Sequence, residues 1–492
     1  MFGWCEDKKS CRQMSNEGTV STNLDMDQTS SELLAVSPID GRYRRHVAEL
    51  ATICSEFGLI HRRVAVEIEW LKYLVVDLRL IGDTNLGSQQ ISSLQAIQTD
   101  FSTVDAERIR AIERTTNHDV KAVEYYVKEA LERANLNAIK EYVHFACTSE
   151  DINNLAYAMM FRDARRDVLL PLMVDLTREI LGLAAAHIET PMLSRTHGQT
   201  ASPTTLGKEL VNVAARLTQW AERFNDVPIQ AKINGAVGNF NAHVAAAPEI
   251  DWQTVSSTFV AALGFTPNPY TTQIEPHDWM AEYLNALAGF NQVILDFDRD
   301  VWGYISLGYF KQKQIEGEVG SSTMPHKVNP IDFENSEGNV GIANALARHL
   351  ADKLLISRWQ RDLTDSTVLR NAGMVFGHTA IAIKSAVRGI KKLEVNHELL
   401  VEDLNKAWEV LSEAVQTVMR RHGHPDPYET VKDITRGRQL SESLYMEVLD
   451  ELPLDEQLRS QLKVMHPSRY IGLATQLADD GIHELTVRLQ NL

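Results

Sequence analysis

The chain has 492 residues, of which 44% are hydrophobic and 23% are charged, as in an ordinary globular protein. This length is too great for one simple core, so two or three domains are expected. With 49 basic and 66 acidic residues the formal net charge is −17, which argues against nucleic acid or an anionic membrane as a partner. If the substrate is an anion, its site must therefore concentrate positive charge locally.

The four cysteines, Cys5, Cys11, Cys54 and Cys147, show no spacing typical of a metal site. They are interpreted as reduced thiols of a cytoplasmic protein. The longest apolar runs are too short to cross a bilayer. Residues 1–34 are polar and lack the apolar core of a secretory signal, so a disordered N-terminal tail is predicted there.

After this tail, residues 35–137 are expected to form an N-terminal domain of short helices, and residues 138–390 a central domain of long helices. The first long helical run of the central domain extends from Glu150 to about Ile188. It contains Pro171, and a kink is predicted there because proline removes a backbone donor and crowds the preceding turn.

A second long helix is predicted from the spacing of its apolar side chains. The residues Leu206, Leu210, Val213, Leu217, Trp220 and Phe224 follow a 4-3-4-3-4 spacing. This pattern is typical of a seam between packed helices. Ser202 and Pro203 are predicted to supply the cap and the first-turn proline of this helix, and Pro228 is predicted to stop it.

The longest proline-free run, from about Trp279 to Phe310, predicts a helix roughly 45 Å long, with Asn291 and Asp298 interrupting its apolar seam. Residues 391–492 contain several prolines and are expected to form a C-terminal domain of short helices. Alternating strand patterns are nearly absent, so the sequence predicts an all-α protein. Apolar seams on more than one helix face indicate a bundle that other subunits cover.

Several polar stretches fit none of these helices. They are SPIDGRYRR (37–45), RTTNHDVKAVEY (114–125), HFACTSEDINN (144–154), SRTHGQTASP (194–203), KINGAVGNFNAH (232–243), TTQIEPHD (271–278), GSSTMPHKVNP (320–330) and SRWQRDLTDSTVLRN (357–371). Each alone has an ordinary structural interpretation; Thr148, for example, is predicted to cap a helix. Their occurrence together in one chain indicates a catalytic site instead.

The stretch GSSTMPHKVNP resembles the signature loop of the fumarase/aspartase superfamily, whose pattern is G-S-S-x-M-P-x-K-x-N-P. The other polar stretches resemble, in the same order, the members of this superfamily that act on succinyl nucleotides. The resemblance extends from about residue 35 to the C-terminus. It implies three helical domains, with central helices that form a twenty-helix core in a homotetramer and active sites shared among three subunits.

The reaction that the resemblance implies is the elimination of fumarate from adenylosuccinate and from succinyl-carboxamide imidazole ribotide in purine biosynthesis. Such a reaction needs a base, an electrostatic clamp for a carboxylate, and an acid for the leaving nitrogen. By the resemblance Ser321 is the general base and His197 the general acid. Lys327 stabilises the growing carboxylate charge, and His118 assists in orientation or in phosphate binding, although a purely structural role for this histidine stays open.

Residue types also indicate how an anionic nucleotide would be bound. Arginines with serine and threonine hydroxyls suit a phosphate, and a helix N-terminus at Thr148 suits a succinyl carboxylate. Together with this chemistry, the resemblance implies that the substrate-binding residues are Arg42, Tyr43, Asn117, Asp119, Thr148, Ser149, Gln273, Ser322, Asn329, Asn335, Arg361, Ser366, Thr367 and Arg370. The sequence contains no metal cluster, Walker loop or Rossmann fingerprint, so no metal and no cofactor are expected.

Two alternatives remain at this point. Argininosuccinate lyase, fumarase and aspartase share the signature loop but lack the stretch QRDLTDSTVLR, which favours a nucleotide substrate. The chain could also be a structural protein that kept the fold and lost the activity. The joint presence of Ser321, His197 and Lys327 argues against this second alternative.

Overall fold

The computed structural model of the chain describes residues 28–82, 86–313, 324, 327–437 and 440–492, with side chains from residue 31 onward. The chain divides between Arg45 and His46 into two units. In the first unit, helix α1 (Gln28–Leu33) precedes a turn in which the Tyr43 N–H donates to the Pro38 carbonyl at 2.8 Å. The segment predicted as a tail, 1–34, therefore ends in a short helix, and residues 1–27 lie outside the described residues.

The second unit is built mainly of α-helices, and the all-α prediction is confirmed. Its helices are α2 (Ala48–Cys54), α3 (Glu56–Lys72), α4 (Ser88–Thr99), α5 (Thr103–Thr116), α6 (Asp119–Arg133), α7 (Ser149–Ala164), α8 (Leu170–Ala186), α9 (Leu206–Asp226), α10 (Asn241–Ala246), α11 (Trp252–Ala262), α12 (Asp278–Ser306), α13 (Ile331–Leu354), α14 (Thr364–Leu369), α15 (Ala372–Lys391), α16 (His397–Lys406), α17 (Ser412–Arg421), α18 (Pro427–Thr435), α19 (Glu442–Glu451), α20 (Glu456–Lys463) and α21 (Ala474–Gln490).

Six short strands form three two-stranded sheets within the described residues. Strands β1 (Pro191–Thr196) and β2 (Gln199–Thr205) form an antiparallel hairpin. Strands β3 (Gln230–Ala231) and β4 (Thr266–Pro267) pair in parallel, and β5 (Phe310–Gln312) pairs with β6 (Leu393–Val395) in antiparallel fashion. All six strands lie in the segments that connect one helix to the next.

The first long run is observed as α7 and α8 joined by a π-helical turn (Arg165–Leu169). The turn comes immediately before Pro171, whose missing N–H removes one hydrogen bond and whose ring excludes the carbonyl four residues earlier. A π turn relieves this conflict because it shifts the hydrogen-bonding register locally. At the place where a kink was predicted, the structure thus has a π-helical turn.

The predicted start of α9 is wrong. The cap is Thr205, whose hydroxyl accepts a hydrogen bond from the Lys208 N–H at 3.3 Å. Ser202 and Pro203 lie instead in β2, where Pro203 is opposite Leu193 at a shift in the strand register. Proline is tolerated at such an irregularity because its missing N–H breaks no regular ladder hydrogen bond.

The central bundle is formed by α7, α8, α9, α12, α13 and α15. Helix α12 packs against α9 and α13, while α15 packs against α13 and α8. The 29 residues of α12 give it a length of about 44 Å. Its two polar seam residues are both buried: Asn291 donates to the Thr379 hydroxyl at 2.9 Å, and burial raises the pKa of Asp298 well above its usual range.

Two smaller hydrophobic cores accompany the bundle. One is built from α3 to α6 and includes Val64, Ile68 and Leu131. The other is built from the C-terminal helices and also includes Leu193 of β1, so the hairpin is attached to the C-terminal region. The domain limits at 137 and 390 stay a prediction. None of the helices in the described part of the chain combines the length and hydropathy that a membrane span requires.

Candidate active site

Many of the predicted site residues meet at the N-terminus of α7. Thr148 is the N-cap, as predicted, and its N–H donates to Asp151 Oδ2 at 2.7 Å. Asp151 is fully buried, lies 3.0 Å from Lys232 Nζ, and accepts from the Asn234 N–H at 2.9 Å. Segment 232–235, part of the stretch KINGAVGNFNAH, therefore fixes the first turn of α7.

His118 is the N-cap of α6 and faces the same turn. Its Nδ1 accepts a hydrogen bond from the Lys121 N–H at 3.1 Å. A nitrogen that accepts carries no proton, so the neutral ring has its proton on Nε2. This Nε2 lies 3.5 Å from the Ser149 hydroxyl, and the His118 side chain is 51% exposed. The histidine thus combines its structural role as a cap with a donor directed to the start of α7.

Arg361 brings three of the polar stretches together. Its Nη2 lies 2.9 Å from Glu150 Oε1 in α7 and 3.4 Å from the Ser366 hydroxyl in α14. Its Nη1 donates to Gln273 Oε1 at 3.3 Å. Gln273 and Ser366, predicted from stretches that are far apart in sequence, therefore contact one guanidinium beside the α7 N-terminus.

Asp119 organises a second arginine at this place. Its Oδ2 lies 2.7 Å from Arg63 Nη2 and 3.3 Å from Arg370 Nη2. Burial alone would raise the pKa of Asp119, but the charge of Arg63, assisted by Arg370, holds this pKa below its usual range. The carboxylate is therefore ionised near neutral pH and holds Arg370, whose side chain is 40% exposed, next to the α6 N-terminus.

Helix α14 is held in place by a buried cluster from the stretch TTQIEPHD. His277 is almost fully buried, with its Nε2 3.6 Å from Asp365 Oδ2 and its Nδ1 3.9 Å from Glu275 Oε2. Burial tends to raise the pKa of Asp365, but the contact with His277 and the Ser366 N–H lower it below its usual range. An ionised Asp365 beside His277 fixes the helix that presents Ser366 to Arg361.

His197 is placed on a different element. His197 and Gly198 form the two-residue turn between β1 and β2, with φ angles of 54° and 74°. Two consecutive residues with positive φ are typical of the type I′ turn that matches the twist of a hairpin. The imidazole is exposed at this tip, and no hydrogen bond among the described residues joins it to the group at α7.

The signature loop is described only in part. Lys327 is exposed, its N–H donates to the Met324 carbonyl at 3.0 Å, and Asn329 lies just before α13. Asn335 lies in α13, where its side-chain oxygen accepts from a hydroxyl of α15 at 2.8 Å. The predicted residues Ser321 and Ser322 lie outside the described residues.

The remaining predicted residues have varied positions. Asn117 ends α5 in the left-handed region with φ 50°, directly before the His118 cap. Thr367 lies in α14, where its carbonyl accepts from Asn371 Nδ2 at 3.2 Å. Arg42 and Tyr43 belong to the first unit, in which Arg42 is exposed and Tyr43 is half-buried.

His144 was not among the predicted site residues, although it stands in the stretch HFACTSEDINN. Its Nδ1 lies 2.6 Å from Oε1 of the fully buried Glu67, whose Oε2 accepts from the His144 N–H at 3.0 Å. Burial alone would lower the pKa of His144, but the charge of Glu67 raises it above its usual value. The feature of the sequence that could have identified His144 is its position four residues before the helix cap Thr148. The pair that His144 forms with the buried Glu67 lies close to the α7 N-terminus.

Comparisons with known proteins agree with this architecture. Residues 41–343 match a family model described as lyase, and residues 357–471 match one described as adenylosuccinate lyase C-terminal. Adenylosuccinate lyase of Escherichia coli (strain K12) is 54% identical over 451 residues, which cover 92% of this chain and 99% of that protein. The enzyme of that name from Haemophilus influenzae is 53% identical over 450 residues, covering 91% and 99% of the two chains.

Two solved structures share the fold at low sequence identity. The 3-carboxy-cis,cis-muconate lactonizing enzyme from Pseudomonas putida superposes with a TM-score of 0.69 at 20% identity, covering 90% of this chain and 97% of that one. A fumarate lyase from Mesorhizobium sp. BNC1 superposes with a TM-score of 0.70 at 18% identity, covering 89% and 97%. At such identities the likeness extends to the fold alone.

Proposed function

The chain belongs to the adenylosuccinate lyase family of the fumarase/aspartase superfamily, and we propose that it eliminates fumarate from two succinyl nucleotides. Adenylosuccinate would give AMP, and succinyl-carboxamide imidazole ribotide would give the aminoimidazole carboxamide ribotide of purine biosynthesis. The observation that supports this proposal most directly is the convergence of Arg361, Ser366 and Gln273 with the N-terminus of α7 and His118.

In this proposal the nucleotide phosphate is bound by guanidinium and hydroxyl groups. Arg361 and Arg370 supply the charge, and Ser366 and Thr367 supply hydroxyl donors on the same short segment. The succinyl carboxylate binds at Thr148 and Ser149, since the first N–H groups of α7 have no acceptor within the helix. The remaining predicted contacts come from Arg42, Tyr43, Asn117, Asp119, Gln273, Ser322, Asn329 and Asn335.

The elimination then needs a proton acceptor and a proton donor on opposite sides of the bond that breaks. Ser321 removes a proton from the carbon beside a carboxylate, the electron pair forms the double bond of fumarate, and the C–N bond breaks. His197 gives a proton to the leaving nitrogen. Lys327 stabilises the negative charge that accumulates on the carboxylate, which matters because a serine is a weak base unless its surroundings are dry and positive.

We also propose that the enzyme is a cytoplasmic homotetramer whose active sites are shared among three subunits. Within the described residues, His197 lies at the tip of a hairpin and Lys327 lies just before α13. The residues proposed to bind the phosphate and the carboxylate lie around the α7 N-terminus. Other copies of the chain would bring the missing groups to each site. The unpaired thiols of Cys54 and Cys147 support a reducing compartment.

The proposal is tested by incubating the purified protein with each succinyl nucleotide and following the absorbance change together with fumarate release. We expect turnover of both nucleotides and none of argininosuccinate, because the latter has no phosphate for Arg361 and Arg370. Turnover of adenylosuccinate alone would refute the use of two substrates. Turnover of argininosuccinate instead of the nucleotides would overturn the proposed function.

A further inference from the structure

Three polar side chains meet at the base of the hairpin that carries His197. Arg195, two residues before His197 in β1, has its Nη2 2.8 Å from Asp403 Oδ2 in α16 and 2.7 Å from the Tyr309 hydroxyl. The Tyr309 hydroxyl in turn donates to Asp403 Oδ2 at 2.8 Å. Each of the three groups thus contacts the other two. We call Arg195, Tyr309 and Asp403 the hairpin clamp.

The hairpin clamp is partly shielded from water. Tyr309 is 3% exposed, and the side chains of Arg195 and Asp403 are 27% and 26% exposed. The Arg195 guanidinium also lies over the Tyr309 ring, 5.8 Å from its centroid. Partial burial weakens screening by solvent, so this ion pair is stronger than a fully exposed one. Together these contacts hold the side chain of Arg195 in one orientation.

The hairpin depends on such an anchor. A two-stranded hairpin is only marginally stable by itself, and the register of this one shifts between Leu193 and Ser194. Arg195 lies beyond that shift, toward the tip, and its Nη1 reaches across to the Thr200 hydroxyl of β2 at 3.2 Å. Arg195 therefore connects both strands to α16, and the two-residue separation places this anchor about 7 Å from His197 along the strand.

We propose that Asp403, acting through Arg195, is a positioning residue for the acid His197 in the elimination. This inference rests on the proposed function. An imidazole at a hairpin tip can protonate the leaving nitrogen only when its nitrogen lies within hydrogen-bond distance of that atom, and the hairpin clamp restricts its position. A misplacement of about 1 Å can cost roughly 100-fold in rate, whereas binding of the phosphate by Arg361 and Arg370 does not involve the hairpin.

The experiment is a double-mutant cycle. Asp403→Asn is made in the wild type and in His197→Ala, and kcat and KM for adenylosuccinate are measured for all four proteins. In the wild type we expect a fall of kcat of roughly 10- to 100-fold with KM changed less than about 3-fold. In the His197→Ala background the same substitution should change kcat less than about 2-fold, because the group that the clamp positions is already absent.

The matched control is Glu402→Gln. Glu402 is the neighbouring residue in α16 and pairs with Lys406 at 2.5 Å on the exposed surface, so this change removes one charge from the same helix without touching the hairpin. It should leave kcat within about 2-fold of the wild type. If Asp403→Asn prevents folding, Tyr309→Phe, which removes one hydroxyl of the same clamp, takes its place in the cycle.

The clamp proposal is wrong if the Asp403 variant keeps its full kcat, if its loss appears mainly in KM, or if most of the loss persists in the His197→Ala background. An equal loss in Glu402→Gln would also overturn it. These outcomes differ from failure of the proposed function, in which the wild type itself releases no fumarate from adenylosuccinate and both proposals fall together.

Discussion

Arg361 joins groups that come from three separate stretches of the chain, since it contacts Glu150, Gln273 and Ser366. A guanidinium holds several acceptors at once because its donors lie in a planar fork. Lysine has the same charge but presents it as a point, so replacing Arg361 by lysine separates the contribution of geometry from that of charge.

We expect Arg361→Lys to raise KM for adenylosuccinate roughly 10- to 100-fold, because a bidentate contact with phosphate contributes about 1.5–3 kcal/mol. The change in kcat should be smaller, since phosphate binding is much the same in the ground and transition states. The matched control is Arg358→Lys on the same segment, where Arg358 is 76% exposed and pairs with Asp362. Equal KM values for the Arg361 variant and the wild type would remove this residue from the substrate site.

The Glu67–His144 pair predicts a dependence of stability on pH. The folded-state pKa of His144 is raised above its usual value by Glu67, although burial opposes this. A group with a raised pKa contributes stability that is fully present below its unfolded pKa of about 6.5 and is lost as the pH rises through the folded value. The contribution of the pair is therefore greatest in mildly acidic solution.

We expect Glu67→Gln to lower Tm most near about pH 6 and progressively less toward about pH 8.5, measured by thermal denaturation of both proteins in matched buffers. The control is Glu141→Gln, which removes an exposed carboxylate that contacts Lys128 and no histidine. Its effect on Tm should be small and nearly constant over this range. A Tm difference for Glu67→Gln that grows with pH would contradict the prediction.

At the scale of the elements, the close approach of α8 and α9 positions the hairpin between them. Gly207 lies in the first turn of α9, and a Cβ there would stand 2.7 Å from Ile188 Cα and 2.8 Å from the Ala184 carbonyl oxygen. These are backbone atoms, so they cannot move aside as a flexible side chain would. Glycine is needed here because the two helices approach so closely.

We expect Gly207→Ala to lower the free energy of unfolding by up to about 2 kcal/mol, because an overpacking cost of about 1–3 kcal/mol outweighs the roughly 1 kcal/mol that alanine gains in helix propensity. The control is Gly182→Ala in α8, where nothing lies within 4 Å of the added Cβ. That variant should gain up to about 1 kcal/mol. Urea denaturation of both variants provides the measurement, and stabilisation by Gly207→Ala would contradict the close approach.

The elements that could be predicted from the sequence are those that local rules determine. The cap at Thr148 depends on neighbouring residues and was predicted, and the π-helical turn occurs beside Pro171, where a kink was predicted. The hairpin was missed because Ser202 and Pro203 resemble a helix start, while their strand pairing depends on Leu193 and on the C-terminal core. Contacts between residues far apart in the chain leave no such local pattern.

The same limit applies to the candidate site. His118, Gln273, Arg361 and Ser366 could be selected from their residue types and from the resemblance, and they meet in the structure. The groups that hold them could not be predicted, because a buried pair such as Asp151–Lys232 depends on which segments pack together. Their sequence spacing alone carries no sign of that contact.

At the scale of the whole molecule, the proposed sharing of active sites between subunits predicts complementation. We expect a mixture of His197→Ala and Ser321→Ala proteins to regain part of the wild-type activity after their subunits exchange, because a mixed assembly contains sites with both residues intact. The activity of the mixture is measured after a step that dissociates and reassociates the subunits.

The control for this experiment is each variant treated in the same way without the other. Exchange itself is verified independently, for example by mass spectrometry of mixed assemblies. Absence of recovery in a mixture whose subunits have exchanged would mean that His197 and Ser321 of each site come from one chain.

The buried carboxylate of Asp151 also has a consequence for how the nascent protein acquires its site. Besides the Thr148 N–H, its hydrogen-bond partners are the N–H groups of Asn234 and Gly235, and its ion-pair partner is the ammonium of Lys232. These residues lie up to 84 residues further along the chain. At about 5–20 residues per second, the ribosome needs roughly 4–17 seconds to synthesise that interval. Until then the charge has no buried partner and stays hydrated, so the turn at Thr148 is completed only after segment 232–235 has emerged from the ribosome.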